Sequence, residues 1–153
     1  MSIATLNNAA SQSTGERASE VPTVRPTAHK LVWIAQIVAA AILAMTLPFK
    51  FSGAEETVRL FDALGAGAPG RIGSAVMETI AVLMLLTPRL AALGGLLTVG
   101  IMGGAILSHI FVLGIVWDGD ASLFAMAVIA FVAGATVAWL RRRELPIVGS
   151  RFE

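Results

Sequence analysis

The sequence predicts an all-α protein: a four-helix transmembrane bundle with a short amphipathic helix in the outer loop between spans one and two. Composition is the first observation behind this prediction, because 56% of the 153 residues are hydrophobic and 14% are charged, whereas a soluble domain is about 25% charged. Charge distribution is the second. The segment Leu31 to Phe49 has no charged residue, and Leu90 to Trp117 has one titratable group, His109. Apolar runs of this length are typical of membrane spans.

The chain is predicted to form one membrane domain, 31–140, between two polar tails. Residues 1–30 are rich in Ser, Thr, Asn and Ala, so we expect a disordered cytoplasmic tail. Span one is expected over 31–49, with Trp33 as an interfacial anchor near its start. Span two is expected over 72–87 and is followed closely by a proline and an arginine.

The last two spans follow through very short connections. Span three is expected over 90–117 and span four over 121–140, and a basic tail, 141–153, begins with "RRR". At about 1.5 Å per residue, each span can cross most or all of a hydrocarbon layer of about 30 Å. Because two residues separate spans two and three, and "DGD" separates spans three and four, we expect both pairs to be antiparallel neighbours.

The outer loop, "KFSGAEETVRLFDALGAGAPGR", contains the signals of a short helix. Ser52 and Glu55 have the spacing of a capping box, and Gly65 is a suitable stop residue. Between them, apolar residues recur at helical spacing at Val58, Phe61 and Leu64. We therefore expect an amphipathic helix on the outer membrane face, and an irregular surface loop is the alternative.

Basic residues beside the spans predict the orientation of the chain. The face that carries both termini is expected to hold Lys30, Arg89 and the triplet Arg141 to Arg143. The turn "WDGDAS" on the opposite face has two aspartates and no basic residue. That face also holds three basic residues accompanied by acidic ones: Lys50, Arg59 and Arg71. The excess of basic residues on the face that carries both termini predicts that both termini are cytoplasmic.

Two titratable residues lie inside the predicted spans. Glu78 follows Arg71 by seven residues, roughly 10 Å below the outer edge, and His109 precedes the end of span three by eight, roughly 12 Å below it. A charge at such depth costs about 2.5–3.5 kcal/mol. We therefore expect both side chains to face the bundle interior and to meet there, with Lys50 or Arg71 as counter-charge. This candidate intramembrane polar site either holds the helices together or handles a proton, quinone or other ligand.

Further residues are expected to line a pocket around these groups: Phe51, Ser74, Met102 and Ala105. Small residues also repeat every four positions in the last two spans, at Gly100, Gly104 and Ser108 and at Ala130, Gly134 and Ala138. Such stripes let helices approach closely, and we expect packing within the bundle, with dimerisation as the alternative. Two polar residues of span one are expected to make ordinary interhelical contacts: Gln36 and Thr46.

Several kinds of chemistry are excluded by the residue inventory. The chain has no cysteine, so disulfides, iron–sulfur clusters and thiolate metal sites are absent. The second histidine, His29, is predicted at the opposite membrane face from His109, so a haem between two histidines is not expected. We find neither metal-ligand spacing nor a basic–aromatic pattern for nucleic acid. The glycine-rich "GAGAPGR" follows no strand, which argues against a phosphate loop.

Four segments occur in a characteristic order: "PFKFSG", "VRLFDALGA", "RIGSAVMETIAVLMLLTPRLAALGG" and "VGIMGGAILSHI". This order resembles the DoxX and DoxX-like family of small four-helix membrane proteins over roughly residues 31–140. The positions that match the family pattern are Lys50, Arg71, Gly73, Glu78, Pro88, Arg89, Met102, Gly104, Ala105 and His109. Relatives include the small membrane subunit of a thiosulfate:quinone oxidoreductase, so the resemblance implies the bundle fold and a quinone-linked role.

Three functions remain open from the sequence. The first is a small subunit of a redox complex at the bacterial inner membrane, with a quinone headgroup in the pocket around Glu78 and His109. Any flavin or metal would come from another redox subunit, because this chain alone is expected to bind no cofactor. The second is transport of protons or a small solute, and the third is a non-catalytic scaffold or assembly factor. The expected partners are the lipid bilayer, another redox subunit and, as an alternative, a second copy of the chain.

Overall fold

The structure is a computed structural model that describes residues 26–145, and this part of the chain is helical with short connections. The predicted tail segments 1–25 and 146–153 lie outside these residues. The helices are α1 (Pro26–Ser52), α2 (Glu55–Ala63), α3 (Gly67–Leu86), α4 (Ala91–Ser108) and α5 (Ser122–Leu140). By internal contacts the chain divides into Met1–Lys30 and Leu31–Glu153, and the second unit contains the bundle. The predicted all-α class is confirmed.

Four of these helices are long and apolar enough to cross a membrane: His29–Ser52, Gly67–Leu86, Ala91–Leu113 and Ser122–Leu140. Many of their large apolar side chains are exposed, among them Ile34, Leu83, Phe111 and Val132. The buried positions are instead mostly small, and Ala39, Ala75, Ala81 and Ala130 are completely inaccessible. Small residues inside and large apolar residues outside are typical of a bundle surrounded by lipid. The chain is therefore a small multi-pass membrane protein in contact with the bilayer.

Glycines set the closest helix contacts, but at positions other than the stripe predicted in span three. A Cβ at Gly94 would lie 2.6 Å from the Leu85 nitrogen, and a Cβ at Gly95 would lie 2.7 Å from the Gly134 carbonyl oxygen. A Cβ at Gly134 would likewise lie 2.9 Å from the Thr98 Cβ. Close approach of α4 to both α3 and α5 therefore depends on these residues lacking a side chain.

Gly100 and Gly104 are predicted to pack against another helix of the bundle, and for the residues that the structure describes this prediction is wrong. Both residues are exposed, and a Cβ at either one would meet nothing within 4 Å. Gly94, Gly95 and Thr98 lie on the face of α4 that is buried, and a helical turn of 3.6 residues carries Gly100 and Gly104 away from that face. Of the predicted packing glycines, Gly134 does contact a neighbouring helix.

The third span ends earlier than expected. After Ser108 the helix widens into a π-helical turn over His109–Leu113, and the chain leaves it at Gly114. Gly114 has φ of +85°, a conformation that glycine adopts without the steric penalty of a Cβ. The segment up to Trp117 is therefore a connection, closed by a single bridge between Trp117 and Asp120. A widened turn of this kind often accompanies a functional site.

The short outer helix is present as α2, although its predicted capping box is not. Ser52 is the last residue of α1, and its hydroxyl donates to the Phe49 carbonyl. Ala54 precedes α2 and gives it no side-chain cap. The predicted stripe of Val58, Phe61 and Leu64 is half-buried, and Gly65 ends the segment with φ of +70°.

Side-chain contacts show which helix ends lie together. At one end Arg141 donates to the Pro88 carbonyl oxygen at 2.9 Å, and its guanidinium lies 6.0 Å from the ring centroid of Trp33. At the other end Arg59 of α2 pairs with Asp118 of the α4–α5 loop at 2.7 Å. The antiparallel arrangement expected from the short connections is therefore observed.

Candidate functional site

A cavity of about 560 Å³ lies between the helices and beneath α2. All five helices and the α4–α5 loop contribute to its wall, which is mainly apolar, with side chains such as Leu43, Leu60 and Met126. Its polar groups include the three central residues of the predicted site: Lys50, Glu78 and His109. The structure thus places the intramembrane carboxylate and imidazole on the wall of one cavity.

Glu78 is held by two residues of α1. One carboxylate oxygen forms a salt bridge with the Lys50 ammonium, and the other accepts a hydrogen bond from the Thr46 hydroxyl at 2.9 Å. Glu78 is 1% exposed, and the Lys50 side chain is 16% exposed. A carboxylate at this depth is stable only with charged and hydrogen-bonding partners. Thr46, considered an ordinary contact residue from the sequence, supplies one of the two.

Lys50 reaches Glu78 because it lies one helical turn beyond Thr46 on the same face of α1. Its ammonium also lies 6.0 Å from the ring centroid of Phe61 on α2, a cation–π distance. The sequence left the choice of counter-charge open between Lys50 and Arg71. In the structure Lys50 takes this position.

Arg71 binds the backbone of α1 instead of Glu78. Its guanidinium donates to the backbone carbonyl oxygen of Lys50, near the end of α1, and packs beside Gly53. The last carbonyl groups of a helix lack partners within it and carry partial negative charge, so a cation there is favourable. Arg71 therefore ties the start of α3 to the end of α1 and helps to position Lys50.

His109 is buried at the π-helical turn, with 5% of its surface exposed. Its Nδ1 lies 3.0 Å from the Ala105 carbonyl oxygen one turn earlier, and its ring lies 5.9 Å from that of Phe124. Its Nε2 is buried and has no hydrogen-bond partner. It is one of four buried side-chain polar atoms in the described chain that have no hydrogen-bond partner. The other three belong to Gln36, Trp117 and Arg141. His109 is the one among them that lines the cavity.

Glu78 and His109 share the cavity without bonding to each other. Glu78 uses its two oxygens for Lys50 and Thr46, whereas His109 contacts Ala105 of its own helix. The direct pair expected from their similar depth is therefore replaced by two separate polar positions on one wall. His109 lines the cavity, and its Nε2 is left without a protein partner.

The predicted pocket-lining residues divide into two groups. Ser74, Met102 and Ala105 line the cavity, as do Gly104 and Ser108, whereas Phe51 does not. Phe51 is half-exposed because the cavity face of α1 runs through Leu43, Thr46 and Lys50, and Phe51 lies one position off it. Phe49 takes part in the lining instead.

Sequence reasoning missed the contribution of α2. Leu60, Phe61 and Leu64 of this helix cover one side of the cavity. The signal was present in the amphipathic stripe, which we assigned to the membrane surface. Phe61 and Leu64 of that stripe line the cavity in the structure, because a short helix can bury its apolar face equally well against other helices.

The loop-side rim of the cavity includes Asp120, which precedes α5. Its carboxylate accepts hydrogen bonds from the Ser122 hydroxyl at 2.6 Å and from the Ser122 amide at 2.8 Å. These hydrogen bonds, the side-chain one above all, hold the pKa of Asp120 below its ordinary value of 3.8. Asp120 is therefore an anion at neutral pH.

The described residues contain no cluster of three or more His, Cys, Asp or Glu that could hold a metal ion. The site instead offers one ion pair, one imidazole and a few further polar side chains on a mainly apolar wall. Such a combination is typical of sites for small, mainly apolar molecules with a few polar atoms. Comparisons with protein-family models, with curated proteins and with solved structures find no match to this chain.

Proposed function

We propose that this protein is a small membrane subunit that binds a quinone-type ligand within its helical bundle, as part of a membrane redox complex. The observation that carries the proposal is the buried Nε2 of His109, which has no protein partner, on a residue that lines the same cavity as the Lys50–Glu78 pair. An unpaired buried polar atom costs about 1–3 kcal/mol. A ligand that forms the missing hydrogen bond would remove this cost.

The size and lining of the cavity support this class of ligand. Its volume of about 560 Å³ falls within the range of roughly 300–1,000 Å³ found for small-molecule sites. A quinone has an apolar ring and tail with polar oxygen atoms on the ring. Lys50 would donate a hydrogen bond to one of those oxygen atoms, and His109 would accept one from the ring hydroxyl of the reduced form. Leu43, Met102 and Met126 would contact the ring and tail.

A lipid-soluble ligand also has a route to these groups. The lining includes two exposed apolar residues of α1, Met45 and Phe49, and the exposed Gly104 of α4. Because Gly104 has open space beside it, we infer that the cavity opens toward lipid between α1 and α4. Hydrophobic molecules dissolved in the bilayer would enter from this side.

The redox partner is the second part of the proposal. A bound quinone supplies two-electron, two-proton redox chemistry, and this chain would contribute the binding site and the polar groups around it. The sequence has no cysteine, so it offers no thiolate for an iron–sulfur cluster. The resemblance to the DoxX family, which includes a subunit of a thiosulfate:quinone oxidoreductase, supports a partner subunit that carries the electrons.

Quinone content is the first test. The full chain is purified in mild detergent, extracted with organic solvent and analysed for quinone, and the same preparation is titrated with a short-tailed quinone and its reduced form. We expect a ligand near one per chain, and weaker binding in His109→Phe. Phe111→Leu is the matched control, because Phe111 lies in the same π-helical turn as His109 and is 78% exposed. A protein that binds neither form would overturn the proposal.

One observation favours a second candidate, a scaffold role. The ion pair of Lys50 with Glu78 and the hydrogen bond from Thr46 already join α1 to α3, so this part of the site has a structural use without any ligand. A scaffold predicts that Glu78→Gln lowers thermal stability while His109→Phe leaves both stability and partner association unchanged. Proton flux in liposomes that disappears in His109→Ala would instead support transport.

The association with a redox partner has its own test. The tagged chain is isolated from membranes of the host in which it naturally occurs, and the absorbance spectrum of the preparation is recorded. We expect a co-purifying flavin or haem chromophore that is retained with the wild-type chain. A chain isolated without any chromophore, although it binds quinone, would limit the proposal to ligand binding.

A further inference from the structure

We propose that the cavity selects a ligand with a ring hydroxyl, such as a hydroquinone or a phenol, over the corresponding quinone, and that His109 Nε2 is the group that distinguishes them. This inference rests on the proposed function and specifies the chemical class of its ligand. The distinguishing feature is that a hydroxyl can donate a hydrogen bond, whereas a quinone carbonyl can only accept one.

The hydrogen bond from His109 to its own helix determines which nitrogen carries the proton. Nδ1 lies 3.0 Å from the carbonyl oxygen of Ala105, and a carbonyl oxygen has no hydrogen to donate. Nδ1 is therefore the donor. In a neutral imidazole the other nitrogen is then an acceptor, so Nε2 carries the free lone pair of a residue that lines the cavity. Only a donor on the ligand can pair with it.

The hydroxyl groups around the cavity do not offset this preference, because each is already donated to a protein oxygen. Three serines donate to one protein oxygen each: Ser74 to the Arg71 carbonyl, Ser108 to the Gly104 carbonyl and Ser122 to the Asp120 carboxylate. Thr46 donates to the Leu43 carbonyl or the Glu78 carboxylate, and Thr57 to the Phe49 or Ala54 carbonyl. Lys50 has three N–H groups, one of which points at Glu78. The wall thus offers a ligand one cationic donor at Lys50. Its acceptors are His109 and the carboxylates of Glu56, Glu78 and Asp120, and among these His109 alone has a buried polar atom with no hydrogen-bond partner in the described chain.

A hydroquinone matches both groups, because each of its hydroxyls can donate or accept. One hydroxyl would donate to His109 Nε2, and the other oxygen would accept from Lys50. A quinone can accept a hydrogen bond from Lys50 but cannot donate one to Nε2. Its carbonyl lone pair would face the lone pair of Nε2, which would stay without a partner. We expect this difference to favour the hydroquinone by about tenfold or more in Kd.

The direct test compares four probes with one decyl tail: a benzohydroquinone, its benzoquinone, the hydroquinone dimethyl ether and the simple phenol. Binding to the full chain in nanodiscs is measured without oxygen, in mildly alkaline buffer where an ordinary imidazole is neutral. We expect the hydroquinone to bind about tenfold or more tightly than the quinone and the dimethyl ether. Equal binding of the phenol supports hydroxyl recognition and shows that one hydroxyl is sufficient.

Variants show whether His109 is the group that reads the hydroxyl. His109→Phe is expected to abolish the preference, His109→Gln to retain part of it through its amide oxygen, and Phe111→Leu to leave it unchanged. A preference that survives in His109→Phe would overturn the inference, because another group would then recognise the hydroxyl. Equal affinity for quinone and hydroquinone in the wild type would also overturn it, and would leave the proposed function standing. Binding of neither form would remove both.

A second readout does not depend on affinity. The chain has two histidines, so ¹⁵N-histidine labelling of a His29→Gln variant reports on His109 alone. We expect the free protein to show a protonated Nδ1 and a bare Nε2, and the hydroquinone to shift the Nε2 resonance as it donates a hydrogen bond. A proton on Nε2 in the free neutral ring would contradict the assignment and overturn the inference.

Discussion

Glu78 and Lys50 form an ion pair whose members differ in exposure: the carboxylate side chain is 2% exposed and the lysine side chain 16%. The energetic consequence of losing one partner is therefore asymmetric. Removing the charge of Glu78 leaves an ammonium that can still reach the helix end, where carbonyl groups and solvent are near. Removing Lys50 leaves a buried carboxylate with only the Thr46 hydroxyl, which is the more costly state.

We expect Glu78→Gln to destabilise the protein by about 1–3 kcal/mol, because the Lys50 ammonium loses its charged partner in a mainly apolar wall. Lys50→Met should cost more than this. The measurement is thermal unfolding in detergent, followed by loss of helical circular dichroism. Glu56→Gln is the matched control, because Glu56 is exposed. The double variant Lys50→Met with Glu78→Gln should recover part of the stability lost in Lys50→Met. If Glu78→Gln alone has no effect, the ion pair does not stabilise the protein.

Asp120 provides a prediction about pH. Its pKa is lowered by the two hydrogen bonds from Ser122. The ionised carboxylate therefore stabilises the folded protein at pH values above the ordinary aspartate pKa. This stabilisation is lost as the pH falls through the lowered pKa of Asp120 in the folded protein. We expect Ser122→Ala to raise the pKa of Asp120, as measured by NMR titration of labelled aspartate carboxyls. Ser52→Ala, a change at another exposed serine, should leave the titration unchanged. An unaltered Asp120 titration in Ser122→Ala would contradict the assigned cause.

At the scale of helices, the close contacts of α4 explain why its glycines are not equivalent. Gly95 faces the backbone of α5, and Gly100 faces open space. Both have the same intrinsic cost in a helix relative to alanine. The effect of adding a methyl group therefore depends on the neighbouring helix alone.

We expect Gly95→Ala to destabilise the bundle by about 1–3 kcal/mol, because the new Cβ would lie 2.7 Å from the Gly134 carbonyl oxygen and 2.9 Å from the Ala138 nitrogen. Gly100→Ala is the matched control and should be neutral or slightly stabilising. Thermal unfolding of both variants in the same detergent is the measurement. Equal losses in the two variants would indicate that Gly100 is covered by another molecule, as the alternative of dimerisation requires.

At the scale of the whole molecule, the two ends of the bundle have distinct polar contacts. Arg141 joins the end of α5 to the α3–α4 turn through Pro88, and Arg142 packs over Trp139 at 4.7 Å. The opposite end holds α2 and the pair of Arg59 with Asp118. Tryptophan and arginine side chains at the end of a span are typical of a membrane–water interface.

The predicted orientation can be tested with single cysteines, because the natural chain has none. We expect Ala63→Cys on α2 to react with a membrane-impermeant thiol reagent added to intact cells. Glu144→Cys at the other end should react only after the membrane is opened. Both residues are exposed. The reverse labelling pattern would contradict the assignment of both termini to the cytoplasm.

The amino-acid sequence by itself determined the membrane environment, the number of spans and the two polar residues inside them. Hydrocarbon demands long apolar helices, and an ionisable group such as Glu78 inside one must face protein. The tertiary structure alone decided which partner each group has, as with Lys50 rather than Arg71 at Glu78, and Gly95 rather than Gly100 at the helix contact. The physical reason is that lipid-facing and protein-facing sides of a span are both apolar. Hydrophobic periodicity therefore does not reveal the rotation of a helix about its axis, and that rotation decides which side chains meet.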